Sequence, residues 1–306
     1  MSGVLVGFGI IGAVIATGYV VGRTGLLGPQ AQYVMSRLAF FVLMPCLLFE
    51  TLATADVAVL FSDALWVSLL AAGIVALATG LVLRLVLKRS VVSTTVGALA
   101  ASYVNANNIG LPVAAYVIGR TTAVVPVMLL QLVVMAPIAL TILDAASSPG
   151  GAGIRRVLRP MANPLIIASL AGLVCAATGV SLPGPVLEPF GLVGAAAVPV
   201  VLLSFGMSLH GSLPLRDPAT RPDVLIASGV KLLVMPVVAF LLARFAFGLD
   251  SEQVFALTTL AALPTAQNVF NYAQRYGTAV PVARDAVLVT TLGSVPVLLV
   301  IAALLH

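Results

Sequence analysis

Twenty consecutive residues, 64–83, separate Asp63 from Arg84 without a single charge. A helix of that length crosses the hydrocarbon layer of a bilayer, about 30 Å thick. Apolar runs of this kind, bounded by charge, glycine and proline, recur along the whole 306-residue chain. Only 8% of its residues are charged and 61% are apolar, whereas a water-soluble domain carries roughly a quarter charged residues. The surface of a soluble enzyme cannot be built from this composition, and disorder is excluded by the apolar content. An outer-membrane barrel would show short segments alternating apolar with polar, and none is found. The chain reads as an all-α polytopic membrane protein. Its first residues lack a basic stretch, so no cleaved signal peptide is expected. Cys46 and Cys175 both lie in apolar runs and read as small core residues, not as a disulfide or metal pair.

Ten transmembrane spans are predicted: 4–22, 31–53, 65–87, 91–118 and 122–143, then 163–180, 188–209, 223–247, 253–275 and 282–304. This divides the chain into a first five-helix repeat over 1–143, a cytoplasmic linker over 144–162 and a second repeat over 163–306. Punctuation matches between the halves. Pro45 in span 2 corresponds to Pro199 in span 7. Gln131 with Pro137 in span 5 corresponds to Thr290 with Pro296 in span 10. Spans 4 and 9 are both interrupted by proline among polar amides. Loops after odd-numbered spans, with adjacent helix ends, hold 13 lysines and arginines against 2 after even-numbered ones, which places odd loops in the cytoplasm and both termini outside. Because five is odd, the second repeat then enters the membrane inverted, an arrangement found in secondary transporters.

Span 4 carries Asn105, Asn107 and Asn108 followed by Gly110 and Pro112. Span 9 carries Pro264 followed by Gln267, Asn268, Asn271 and Gln274. Amides at membrane depth are costly unless they face protein or water. Proline removes an amide donor and crowds the preceding turn, so span 4 is expected to break at Gly110 and Pro112, and span 9 at Pro264. Gln267, Asn271 and Gln274 fall on one helical face. One reading is that these amides only join helices. The sharper reading is a pair of crossed, broken helices 4 and 9 enclosing a substrate site, with half-helix starts that attract an anion.

The run Asn105-Ala-Asn-Asn108-Ile-Gly110-Leu-Pro112 resembles that of the auxin efflux carrier superfamily, which includes plant PIN proteins and bacterial malonate or malate carriers. Leu263-Pro264-Thr-Ala-Gln-Asn268, the ending Gln274-Arg-Tyr276-Gly277, and Lys231-Leu-Leu-Val-Met-Pro236 are similar to that family too. The resemblance covers the whole chain, and the short linker is like that of bacterial members. It implies a fold like sodium–proton antiporters and bile-acid symporters. Spans 1, 2, 6 and 7 would form a scaffold that dimerises, and spans 3–5 and 8–10 a mobile transport unit working by an elevator-type mechanism. Gly3, Gly7, Gly18 and Gly22 would let span 1 pack closely.

Candidate substrate-binding residues are Asn105, Asn107, Asn108, Gly110, Gln267, Asn268 and Asn271, with Pro112 and Pro264 breaking the helices. Pro45, Cys46, Phe49, Pro199 and Ser204, with Ser208 nearby, are candidates for the scaffold wall. Lys231 reads either as a flanking residue reaching toward the cytoplasm or as a coupling residue for an anion. Glu50 reads as an outer-rim residue or as a proton relay. Carboxylates are absent from the expected membrane centre, which argues against cation antiport. The expected activity is export or exchange of small organic anions, mono- or dicarboxylates or auxin-like acids, across a bacterial inner membrane. A sodium-coupled symporter of the bile-acid type, or a channel or sensor, is the alternative. An intramembrane enzyme would need clustered acid, base or metal ligands, and His210 and His306 form no such cluster. No cofactor, metal or nucleic acid is expected; the partners are the anion, the bilayer and a second copy of the chain.

Overall fold

The structure is a computed structural model that describes residues 2–54, 62–110, 113–147, 164–180, 182–210 and 214–305. Pro112 lies outside these residues, and the side chains of Gly3, Gly7, Asn107 and Asn108 lie outside the described ones. Among the described residues, all regular structure is helical except one isolated antiparallel bridge between Val104 and Thr265.

Six helical stretches are long and apolar enough to cross a membrane. They are α2 (Ala31–Ala53), α3 (Asp63–Val86), α5 (Pro126–Ser147), α7 (Gly184–Leu209), α8 (Arg221–Ala246) and α11 (Val280–Leu305). The other expected spans fall on α1 (Ser2–Thr24), on α6 (Pro164–Thr178) and on two interrupted helices. The first interrupted helix is α4 (Val91–Ser102), followed by π-helical turns Ala106–Gly110 and Ala114–Ile118. The second is α9 (Ser251–Ala261), followed by α10 (Gln267–Tyr276). Large apolar side chains cover the outer surface; Leu192 is 80% and Phe245 74% exposed. That surface suits lipid and would be costly in water. Cys46 and Cys175 are unbonded to each other and half-buried.

Local capping explains where helices start. Ser90 Oγ accepts from Ser93 N at 3.1 Å at the start of α4, and Asp250 Oδ1 accepts from Gln253 N at 2.8 Å at the start of α9. Each cap follows a π turn closing the preceding helix, Val82–Val86 and Leu242–Ala246, and a left-handed residue, Lys88 (φ 52) and Gly248 (φ 63). The same series of features thus recurs 160 positions on.

Close helix contacts follow a second recurrence. A Cβ on Gly18 of α1 would overlap the Leu203 carbonyl of α7, and one on Gly172 of α6 would sit 2.8 Å from the Phe49 carbonyl of α2. Gly172 and Phe49 lie 154 positions from Gly18 and Leu203, respectively, the spacing of Pro45 and Pro199. Gly22 likewise packs on Met207. Helices α1 and α7 form one close pair, and α6 and α2 another. The remaining helices pack mainly with one another, tied at their ends by ion pairs Arg89–Asp223 (2.8 Å) and Arg120–Glu252 (3.0 Å).

Candidate functional site

The two interrupted helices cross at their breaks. Asn105 N donates to the Pro264 carbonyl at 2.8 Å, and Ala266 N donates to the Tyr103 carbonyl at 3.0 Å. This short strand-like pairing satisfies backbone that has left its helices. In a membrane interior such groups must be satisfied by protein, because each unmet one costs several kcal/mol.

Side chains complete the accounting. Gln131 of α5 donates from Nε2 to the Val104 carbonyl at 2.7 Å. Thr290 of α11 accepts from Thr265 N at 3.0 Å. Thr265 Oγ1 donates to the Ala100 carbonyl at 2.5 Å. Gln131 and Thr290 occupy the matched proline-bearing helices and do the same job for opposite sides of the crossing. Removing one leaves a buried backbone group unmet, at about 1–3 kcal/mol. Thr290→Val is therefore expected to lower the melting temperature in detergent by several degrees, while Thr17→Val, on the exposed face of α1, leaves it unchanged.

The span 4 break differs from the sequence expectation. The helix ends at Ser102, with extended backbone at Tyr103 (φ −90, ψ 104), upstream of Gly110 and Pro112. Pairing with the Pro264 segment sets the break, and Gly110 lies in the π turn beyond it. Its amide donates to the Asn105 carbonyl at 2.9 Å. A Cβ at Gly110 would come within 2.9 Å of Val124 Cγ2, so glycine there permits close packing. Pro264 sits in the extended segment, not in the first turn of α10.

A cleft of about 530 Å³, counting its open mouth, lies against this crossing. One wall is Met44, Leu47 and Leu48 of α2 with Ala197, Val198 and Val201 of α7. The other is Val104, Asn105 and Ala106, then Ala266 and Asn268, then Met128, Gln131 and Leu132 of α5. Its polar side chains are three amides, Asn105, Gln131 and Asn268, and none of its lining residues is charged. Helix α10 begins at Gln267 on this wall, so the positive end of its dipole faces the cleft. Its enclosed part has room for only about two waters, less than a dicarboxylate needs.

The amides named from sequence separate into different positions. Asn105 Nδ2 donates to Gln267 Oε1 at 2.7 Å, joining the two broken helices directly. Asn268 is half-buried on the cleft wall. Gln267 and Asn271 are buried, and Asn271 points Nδ2 at Met44 Sδ, 3.3 Å away on α2. On the opposite wall the named residues are offset by one to three positions from those that line the cleft. Pro45, Cys46, Phe49 and Pro199 flank the lining residues, Phe49 stacks on Phe190 at 4.7 Å, and Ser204 bonds Ser36 at 3.0 Å. Gln131, noted from sequence only as the repeat match of Thr290, was not named for the cleft it lines; its signal was a lone amide in an apolar helix.

Lys231 does not reach toward the cytoplasm. It is fully buried, and its Nζ donates to the Ala261 carbonyl at 2.7 Å, the last residue of α9, and contacts Met235 Sδ at 3.0 Å. The flanking reading failed because a π turn at Val230–Val234 rotates this residue inward, where a helix end offers a carbonyl.

The sequence matches the family described as "Membrane transport protein" over residues 10–302. It is 30% identical over 225 residues to a putative malonate transporter of Rhizobium meliloti (strain 1021), covering 71% of this chain and 68% of that one. With helices apolar enough to span a bilayer and a polar crossing buried between them, the chain is a membrane transporter and not an enzyme, and it belongs to the membrane transport protein family of the auxin efflux carriers.

Proposed function

We propose that this protein is a secondary carrier of small organic anions, carboxylates of the malonate kind, working by alternating access. The observation that carries this reading is the cleft at the crossing. It combines amide donors and a helix start with no fixed negative charge, which suits a carboxylate. The substrate named for the relative has the same chemistry. A carboxylate is held by Asn105 and Asn268 in this proposal, with Gln267 and Gly110 shaping the crossing and Asn107 and Asn108 completing it.

The same proposal takes the chain as two inverted five-helix repeats, 1–143 and 163–306, joined by a cytoplasmic linker. Recurrence of the capped breaks at 160 positions and of the glycine contacts at 154 supports it. The scaffold is α1, α2, α6 and α7, and the rest is the moving unit. The cleft lies between the two, walled by one from each side, so sliding of the unit would carry the anion across. At one end the units are held together: Arg275 lies 4.9 Å over the Phe41 ring and 5.6 Å over Phe40, beside the Tyr276–Asp144 hydrogen bond of 2.8 Å. The contacts of Arg275 with Phe40 and Phe41 must open in each cycle, and the narrow cleft with them, while the Tyr276–Asp144 bond stays within the moving unit. The bilayer is the bacterial inner membrane, both termini are outside, and the scaffold faces of two copies form a dimer.

Purified protein in liposomes is expected to show saturable malonate counterflow. Asn105→Ala with Asn268→Ala should reduce it about a hundredfold without loss of folding, the effect of two charge-assisted hydrogen bonds. Unchanged flux in the double variant would reject the site, and single-channel currents would reject the carrier.

A further inference from the structure

We propose that Lys231 is the charge that balances the transported anion, so that the carrier takes carboxylates as monoanions. The proposal rests on the anion-carrier reading above and deepens it.

Three charged side chains are buried among the described residues: Asp223, Lys231 and Asp285. Asp223 pairs with Arg89 at 2.8 Å and Asp285 with Arg284 at 2.7 Å. Lys231 has no carboxylate oxygen within 4.0 Å among the described residues. The elements packed on its turn, α3, α4, α9 and α11, carry the charged groups Asp63, Arg84, Glu252, Arg284 and Asp285, all toward their ends. Among the described residues its hydrogen-bond partners are dipoles: the carbonyl end of α9 and a thioether. A buried charge facing only dipoles is poorly compensated, and its field is weakly screened.

The position of Lys231 Nζ ties it to the crossing. Met235 and Ala261, its two contacts, line a second cleft of about 370 Å³, counting its open mouth, together with Val104 and Gln131. Val104 and Gln131 also line the cleft. The cleft and this second one, which both contacts of the lysine line, therefore share Val104 and Gln131 at the crossing as a common wall. An anion in the cleft supplies the missing counter-charge. Lys231 also offsets the negative end of α9, which would otherwise oppose an anion there. A second negative charge would remain uncompensated, because no lining residue is charged. Monocarboxylates, and dicarboxylates carrying one proton, meet this condition.

The test compares liposome fluxes of malonate and lactate, with equal pH on both sides, as pH is lowered through the second ionisation of malonate. Malonate flux at fixed total concentration should rise with its monoanion fraction, while lactate flux stays level. Lys231→Met should cut both fluxes at least about tenfold, and Lys231→Arg should keep the native pH pattern. Malonate flux that follows the dianion overturns the proposal and leaves the carrier reading intact, as does native-like transport by folded Lys231→Met. Absence of flux for every carboxylate overturns both. Should Lys231→Met fail to fold, the pH pattern of the native protein decides alone.

Discussion

Asn105→Asp is expected to raise the half-saturating concentration for a carboxylate about a hundredfold while the protein still reaches the membrane. Asn105 lines the cleft and bonds Gln267 across the crossing at 2.7 Å. Aspartate has nearly the same shape, so packing is kept and the chemistry changes. A donor is replaced by a negative charge beside the place where the substrate's charge must sit. Two like charges about 5 Å apart, at an effective dielectric near 20, repel by ~3 kcal/mol, which is about a hundredfold in affinity. The defect should shrink on acidification, as protonation removes the new charge. Asn105→Ser keeps the site neutral and should lose only about tenfold, the value of one hydrogen bond. Liposome uptake over a substrate range checks both. Equal kinetics for Asp and Asn at this position would place the anion elsewhere.

Gly206→Val is expected to be the most damaging single change to the fold. A Cβ there would overlap the Ile15 carbonyl of α1 and lie 2.9 Å from Tyr19 N. Both obstacles are backbone, so no side chain can swing away. Overpacking that a core can absorb costs about 1–3 kcal/mol, and here two helices must separate instead. The melting temperature in detergent should fall by well over the few degrees expected for Thr290→Val, or the protein should fail to accumulate. Gly12→Ala is the control. It lies on the exposed face of α1, the helix that Gly206 packs against, with nothing within 4 Å, and alanine favours a helix by about 1 kcal/mol over glycine. That change should be neutral or stabilising. The contrast in sign separates close packing from helix propensity.

The helices were legible because bilayer thickness imposes a length on them, and apolar runs of that length are hard to mistake. The breaks were legible in kind from Pro264 and the amides, but not in place. Span 4 opens at Tyr103–Asn105 because its partner segment pairs there, and a pairing partner 160 residues away leaves no local mark. Opposite the crossing, the cleft is lined by other residues of α2 and α7 than those named from sequence. The π turn at Ala39–Leu43 and the turn at Ala196 shift which residues face the cleft, and such shifts do not show in apolar sequence. Gln131 was legible as a repeat marker but not as a site residue, because its partner is a backbone carbonyl and any residue type supplies one.

What the sequence determined by itself is what the solvent dictates: a charge-poor chain must be helical and live in lipid, and its few amides must be buried for a reason. Its motifs also carried the family. The tertiary structure decided which amides meet, that Asn105 joins Gln267 while Asn271 turns to Met44, and that Lys231 is enclosed at a helix end. Those outcomes depend on the phase and crossing of helices distant in the chain. Hydropathy acts residue by residue, whereas a hydrogen bond or an uncompensated charge exists only between groups that folding brings together.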